Sequence, residues 1–242
     1  MIFYKTSSFG NDFIEIDAKE MTGAVAKGDL ALQICDRQRG VGADGVVFYK
    51  PLKKNVRFQI FNRDGGEAEL SGNGMAGLSA VLFQRRLAVS PLTLHAAVGS
   101  RQVELLGREG AVFQLAVEIG LPDFANREFF PFLKETPGSC KIAGLEFHAV
   151  SVGNPHAVVI CREMPPGEQL AALGKKIEGH PMFPKRVNVE FVRLGGDQSC
   201  RVYFYERGVG PTQASLTGSA AVFAVLRRLG MAGDRLDIDL GA

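Results

Sequence analysis

The chain has no tryptophan, four cysteines and four histidines. Cys35, Cys140, Cys161 and Cys200 have no close spacing and no CxxC pair, so neither a disulfide framework nor a zinc site is expected. They read as buried or free thiols in a reducing cytosol. The histidines are equally dispersed, and no metal is expected. No apolar run approaches the ~20 residues of a membrane span. The longest, Ala76 to Phe83, is interrupted by Gly77 and Ser79. Met1-Ile2-Phe3-Tyr4-Lys5-Thr6 lacks the basic segment and long apolar stretch of a signal peptide, which predicts a cytoplasmic protein. An excess of one charge is missing too. With 28 basic and 26 acidic residues, net +2, the chain is too balanced to suggest nucleic acid or an anionic membrane as partner. Lys53-Lys54 and Arg85-Arg86 are short basic pairs expected on solvated faces.

What is present is an internal repeat. A shift of 144 positions lays residues 57–82 on 201–226, and nine of those 26 pairs are identical: Arg57/Arg201, Arg63/Arg207, Gly66/Gly210, Ser71/Ser215, Gly74/Gly218, Ala76/Ala220, Ala80/Ala224, Val81/Val225 and Leu82/Leu226. Several are common residues, so the order of residue types matters more than the count. Each copy reads as a strand, a polar glycine-rich turn, a Ser at a turn-to-helix junction, and an apolar helix. Gly10-Asn11 is echoed by Gly153-Asn154 at almost the same offset. Two similar halves are expected, of roughly 110–130 residues each, divided as 1–112 and 113–242. A cleft between them would offer a matched group to each face of a small substrate.

Val56–Ile60 alternates apolar and polar, the pattern of a half-buried strand, and Arg201–Tyr205 is its counterpart. Helices are expected to start near Gly72 and Leu216, with stripes at Met75, Leu78, Val81 and Leu82 and at Val222, Val225, Leu226 and Leu229. Further strands are expected at 13–16, 46–49, 102–106, 112–117, 147–152, 157–161 and 187–192. Strands outnumber helices, which favours α+β over a doubly wound sheet. The link between halves is placed at Gly107–Gly110 or Gly120–Phe124.

Ser71-Gly72-Asn73-Gly74 and Ser215-Leu216-Thr217-Gly218 sit where the repeated unit enters its helix. A helix start presents unpaired N–H groups and partial positive charge, a natural seat for a carboxylate. Either serine can equally serve only as a helix cap. Asn11, Asn62, Asn154 and Asn188 stand at strand ends, where an amide can donate to a carboxylate or accept from an ammonium, or simply make a turn. Arg207 can hold a carboxylate in a two-pronged contact and Glu206 can accept from an ammonium, so together they suit an amino acid. His156 is the histidine beside a candidate ligand residue; a structural role for it stays open.

Taken together, Gly10-Asn11-Asp12-Phe13, Cys35-Asp36-Arg37, Gly42-Ala43-Asp44-Gly45, Asn62–Glu69, Gly72-Asn73-Gly74, Gly153–Val158, Phe183–Val189, Tyr205–Gly210 and Thr217-Gly218 resemble the diaminopimelate epimerase family and its cofactor-independent amino-acid racemase relatives. The resemblance implies two pseudo-symmetric halves, each a curled mixed or antiparallel sheet around a central helix. It also implies proton exchange at an α-carbon by two cysteines, with no pyridoxal phosphate, no metal and no other cofactor. It would make Asn11, Asn62, Asn154, Asn188, Glu206 and Arg207 holders of the amino acid. Backbone N–H groups at Gly72, Asn73, Thr217 and Gly218 would hold the carboxylate of the reacting carbon. His156 and Glu206 would lie beside the catalytic positions. The partner is then a small amino acid; a homodimer stays open.

Three departures stand out. The family's two cysteines fall on Ser71 and Ser215. A thiol with pKa near ~8.5 exchanges protons around neutral pH, whereas a serine hydroxyl ordinarily needs an adjacent base. Leu216 replaces a glycine, narrowing the carboxylate seat. The sequence stops at Leu240-Gly241-Ala242, short of the family's usual last strands. The expectation is an epimerase or racemase with Ser71, Ser215, His156 and Glu206 as its catalytic group. A non-catalytic amino-acid-binding protein and a one-base lyase or dehydratase are the alternatives.

Overall fold

The computed structural model describes residues 1–21, 25–52, 55–133, 140–142, 144–196 and 198–240. The Lys53-Lys54 pair and the final Gly241-Ala242 lie outside the described residues. Two units are seen, Met1–Gly120 and Leu121–Ala242.

The first unit runs β1 (Tyr4–Ser8), β2 (Asn11–Asp17), α1 (Lys27–Ile34), β3 (Gly45–Pro51), β4 (Val56–Asn62), β5 (Glu67–Ala68), α2 (Gly72–Gln84), β6 (Leu92–Ala96), β7 (Gly99–Glu109) and β8 (Val112–Val117). These strands form one mixed sheet in the order β1-β2-β3-β4-β6-β7-β8, with β5 on β4. The second runs β9 (Cys140–Ile142), β10 (Leu145–Ser151), β11 (Pro155–Ile160), α3 (Gly167–Glu178), β12 (Asn188–Leu194), β13 (Ser199–Glu206), β14 (Gly210–Thr212), α4 (Leu216–Arg228) and β15 (Asp237–Asp239). The expected α+β architecture is what the chain adopts.

The duplication extends to strand direction. In the first unit β1/β2 is antiparallel, β2/β3 parallel, β3/β4 antiparallel, β4/β5 antiparallel and β4/β6 parallel. The second unit repeats that series as β10/β11, β11/β12, β12/β13, β13/β14 and β13/β15. Helices α2 and α4 have 13 residues each. Both end in a left-handed residue, Arg86 at φ 57° and Gly230 at φ 71°. Both close with the same pair of bonds, Arg86 N to Phe83 O and Leu87 N to Leu82 O, repeated by Gly230 to Arg227 and Met231 to Leu226.

Each sheet is covered on two sides, which is why β2, β3, β11 and β12 are each buried at five or more consecutive positions. Met75, Leu78 and Leu82 of α2 pack on Val47, Tyr49, Phe58 and Ile60, while Ala31 and Ile34 of α1 pack on Ile14, Ile16, Val46 and Phe48. In the second unit Val222, Val225 and Leu226 of α4 pack on Val158, Val192 and Phe204; Leu170 and Ile177 of α3 pack on Val159, Val189 and Phe191. The stripe on α4 stops sooner than its spacing suggests, because Leu229 is the C-cap and is 40% exposed. Helices α1 and α3 were not signalled by the sequence reading.

The division falls after Gly120, where the expectation was 112/113. Val112 opens β8, and β8 is laddered to β7 from Glu109↔Val112 to Val103↔Val117. Cutting at 112 would split a hairpin. The two compact units divide between Gly120 and Leu121. Among the described residues no helix is long and apolar enough to cross a membrane.

Candidate active site

In the first unit Ser71 is the N-cap of α2, with φ −140° and ψ 119°, and its Oγ accepts from Gly74 N at 3.1 Å. Gly72 and Asn73, buried in the first turn, bring backbone N–H groups to this end of the helix. Asn73 Nδ2 donates to Asn11 Oδ1 at 3.0 Å, and Asn11 Nδ2 donates to Asp44 Oδ2 at 2.9 Å. Behind them Arg37 ties the β2 start to β3: its Nη2 lies 2.9 Å from Asp44 Oδ1 and 2.6 Å from Asp12 Oδ1. Lys5 adds an ion pair to Asp12 at 3.0 Å. Burial pushes the Asp12 carboxyl up, but Arg37 and Lys5 more than reverse this and hold it at about 2. The outcome is a charged backing that fixes which end of each amide faces forward. Asn62 closes β4 opposite Gly45, half-buried at the turn to Gly66.

The second unit has the same cap. Ser215 sits at φ −138° and ψ 120° before α4, and its Oγ accepts from Gly218 N at 3.2 Å. Its surroundings are richer. Ser215 Oγ donates to Glu206 Oε2 in a long bond of 3.4 Å, and Glu206 Oε1 accepts from Thr212 Oγ1 at 2.7 Å. Thr217 Oγ1 lies 3.4 Å from Ser215 Oγ and receives Asn154 Nδ2 at 3.3 Å. His156 is fully buried; its Nε2 is 2.8 Å from Asn154 Oδ1 and its Nδ1 2.7 Å from Glu190 Oε1. Asn188 Oδ1 accepts from Arg207 N at 2.9 Å, and Asn188 Nδ2 donates to Pro155 O at 2.9 Å. One arm of the Arg207 guanidinium, Nη1, rests on Lys185 O at 2.9 Å.

Within the first unit, then, Asn11, Ser71, Gly72 and Asn73 meet at one helix start. Within the second, Asn154, His156, Glu206, Ser215, Thr217 and Gly218 form one hydrogen-bonded group, and Asn188 and Arg207 are bonded beside it. Sequence reasoning missed Glu190, Thr212 and the first unit's Glu15. A signal existed for the two glutamates: each is a lone charge within an apolar strand, Ile14-Glu15-Ile16 and Val189-Glu190-Phe191. Both are at most 1% exposed, and each keeps one carboxyl oxygen without a partner. Each lies against a glycine of its central helix. A Cβ on Gly77 would fall 2.7 Å from Glu15 Oε1, and one on Gly218 would fall 2.9 Å from Glu190 Oε1.

The cysteines lie elsewhere. Burial pushes the Cys35 thiol up to about 12, with Asp44 adding to it, and Cys200 up to about 11; Cys140 and Cys161 are raised by the same cause. A raised thiol is less readily ionised, which disfavours proton exchange at any of the four. Among the described residues no group of three or more His, Cys, Asp or Glu could hold a metal ion.

The chain matches the diaminopimelate epimerase family over residues 3–124 and 148–242. It is 36% identical to the diaminopimelate epimerase of Methanothermobacter thermautotrophicus, covering 91% of this chain and 80% of that one. To the diaminopimelate epimerase of Methanocaldococcus jannaschii it is 34% identical, covering 98% and 88%. The fold is similar to the crystal structure of a hydroxyproline epimerase from Agrobacterium vitis with bound trans-4-OH-L-proline. That similarity has a TM-score of 0.70 at 16% identity over 96% of this chain and 78% of the other.

Proposed function

The chain belongs to the diaminopimelate epimerase family, and from that membership we propose that it is a pyridoxal-phosphate-independent epimerase or racemase acting at the α-carbon of a free amino acid. Diaminopimelate is the first substrate to test; a cytoplasmic place in lysine biosynthesis accompanies that reading. The observation that carries it is the pair of helix starts, Ser71 and Ser215, with backbone angles within about 2° of each other and each joined to its own asparagine-bearing group. Such starts stabilise a carboxylate through unpaired N–H groups and the helix dipole. Asn11, Asn62, Asn154, Asn188, Glu206 and Arg207 supply the mixed donor and acceptor set that a zwitterion needs.

In this reading Ser71 and Ser215 take the places of two proton-exchanging thiols. A hydroxyl is a far weaker acid, so it requires a neighbouring base. Ser215 has one in Glu206. At the position that the repeat makes equivalent to Glu206, the first unit carries Asn62, an amide with no basic group. That asymmetry favours a second reading, a one-base elimination from a substituted amino acid in which the Glu206 side takes the α-proton.

Incubation with diaminopimelate stereoisomers and with other amino acids in heavy water, followed by mass and chirality analysis, separates the readings. Deuterium at the α-carbon with inversion is the expected result. Loss of water or ammonia supports the one-base reading. Tight binding with no exchange for any amino acid refutes both and leaves a binding protein.

A further inference from the structure

The duplication places an asparagine behind each helix start, Asn11 and Asn154, yet the two amides point in opposite senses. Asn11 turns its Nδ2 back to Asp44 and its Oδ1 forward to Asn73. Asn154 turns its Oδ1 back to His156 and its Nδ2 forward to Thr217. The backing residue decides: a carboxylate can only accept, so it attracts the amide NH₂, whereas a ring N–H attracts the amide oxygen.

For His156 to play that part, its proton must be on Nε2, because the Asn154 Oδ1 facing it at 2.8 Å accepts only. Glu190 secures this as long as the two side chains keep the proton they share between them. Its Oε1 occupies Nδ1 at 2.7 Å in a site where the two side chains are 0% and 1% exposed. If the pair is imidazolium and carboxylate, both ring nitrogens are protonated. If Glu190 is the acid, it donates to Nδ1 and the ring proton is on Nε2. Only a neutral ring beside an ionised Glu190 would carry its proton on Nδ1 and leave Nε2 bare, a state that Asn154 Oδ1 at 2.8 Å from Nε2 does not fit. Without Glu190 a neutral ring is free to put its one proton on Nδ1, and Asn154 is then free to turn over.

We propose that Glu190 is a positioning residue, which through His156 and Asn154 sets the direction of a hydrogen-bond chain running to Ser215 and Glu206. Thr217 accepts from Asn154, so its own hydrogen turns to Ser215 Oγ. Ser215 accepts from Thr217 and from Gly218 N, so its own hydrogen turns to Glu206 Oε2. Every donor points toward the Glu206 carboxylate. Room for Glu190 comes from Gly218, where any side chain would meet Glu190 Oε1 and the Phe204 ring at 2.9 Å. The inference deepens the proposed function and rests on it for the roles of Ser215 and Glu206; the orientation of His156 and Asn154 stands without it.

The test pairs a spectroscopic readout with a kinetic one. Two-dimensional ¹H–¹⁵N correlation of the His156 ring, assigned with His156→Gln, is expected to show Nε2 protonated in wild type. The same is expected in Glu190→Gln, whose amide can donate to Nδ1. In Glu190→Leu, Nδ1–H is expected to gain population. Deuterium exchange into diaminopimelate is expected to fall about tenfold in kcat/KM for Glu190→Leu, the equivalent of one neutral hydrogen bond, and about threefold or less for Glu190→Gln. A bare Nε2 in wild type overturns the proposal whether or not the protein turns over any substrate. Unchanged tautomer and unchanged exchange in Glu190→Leu overturn it as well. Should Glu190→Leu fail to fold, the wild-type and Glu190→Gln spectra still decide. Absence of exchange in wild type with Nε2 protonated refutes the proposed function and upholds the orientation.

Discussion

Glu15 sits on β2, one strand in from the edge of the first unit's sheet, at 0% exposure, and burial pushes its carboxyl from 4.5 up to about 8. Thr6 Oγ1 donates to its Oε1 at 2.5 Å, while Oε2 has no partner. The folded protein therefore holds a proton there that the unfolded chain gives up near pH 4.5. A raised folded pKa means stability is fully present below the unfolded value and is lost as pH rises through the folded one. At about 1.4 kcal/mol per pH unit over the gap between 4.5 and about 8, the loss from Glu15 approaches ~5 kcal/mol at pH 9. Glu15→Gln cannot ionise. It keeps an oxygen for Thr6 but places an NH₂ where Oε2 is unpartnered, a cost of about 1–3 kcal/mol at all pH values. The two stability curves must cross. Near pH 4 the variant is expected to be the less stable by about 2 kcal/mol, and near pH 9 the more stable by about 3 kcal/mol. Urea unfolding followed by far-ultraviolet circular dichroism suits a chain without tryptophan and reads both limbs. Parallel curves for the two proteins between these pH values would refute the reasoning, since they would mean that Glu15 is ionised in the fold or reaches water.

Other outcomes follow from single sites. Arg86→Gly is expected to stabilise the chain by about 0.5–1 kcal/mol, because Arg86 holds φ 57° at a helix end whose repeat partner is already Gly230; a thermal-shift or urea midpoint that falls would contradict it. Gly77→Ala is expected to destabilise by more than about 2 kcal/mol, since its Cβ would lie 2.2 Å from Thr6 Oγ1, with unfolding midpoints as the check. Ser71→Ala and Ser215→Ala each remove a helix cap and are expected to cost about 1 kcal/mol of stability, read by denaturation apart from any effect on exchange. The double change Ser71→Cys with Ser215→Cys is expected to raise α-proton exchange on diaminopimelate; no gain would place the fault in the pocket and not in the missing thiols.

The repeat, the strand-turn-helix unit, both serine caps and most of the polar set were legible because they depend on local rules: side-chain period, glycine at turns, and Ser at helix starts. Several features were not. Helix α1 is short, whereas α3 carries a narrow apolar stripe, Leu170, Leu173 and Ile177, on an otherwise charged segment after a Pro-Pro-Gly turn. The division of the chain was placed at 112 because strand pattern does not reveal which neighbour a strand joins; the β7/β8 ladder assigns that strand to the first unit. Glu15 and Glu190 showed only as isolated charges in apolar strands.

The sequence by itself determined that there are two copies of one α+β unit and that hydroxyls stand where the family resemblance expects thiols. Both conclusions require only residue order. Tertiary structure alone decided what backs each asparagine, and hence which way its amide faces. Asp44 lies 33 positions from Asn11, and Glu190 lies 34 from His156, so no local pattern links either pair. Such a hydrogen bond exists only once a crossover has laid one strand beside another. The same unit, repeated, can therefore present opposite polarity at equivalent helix starts.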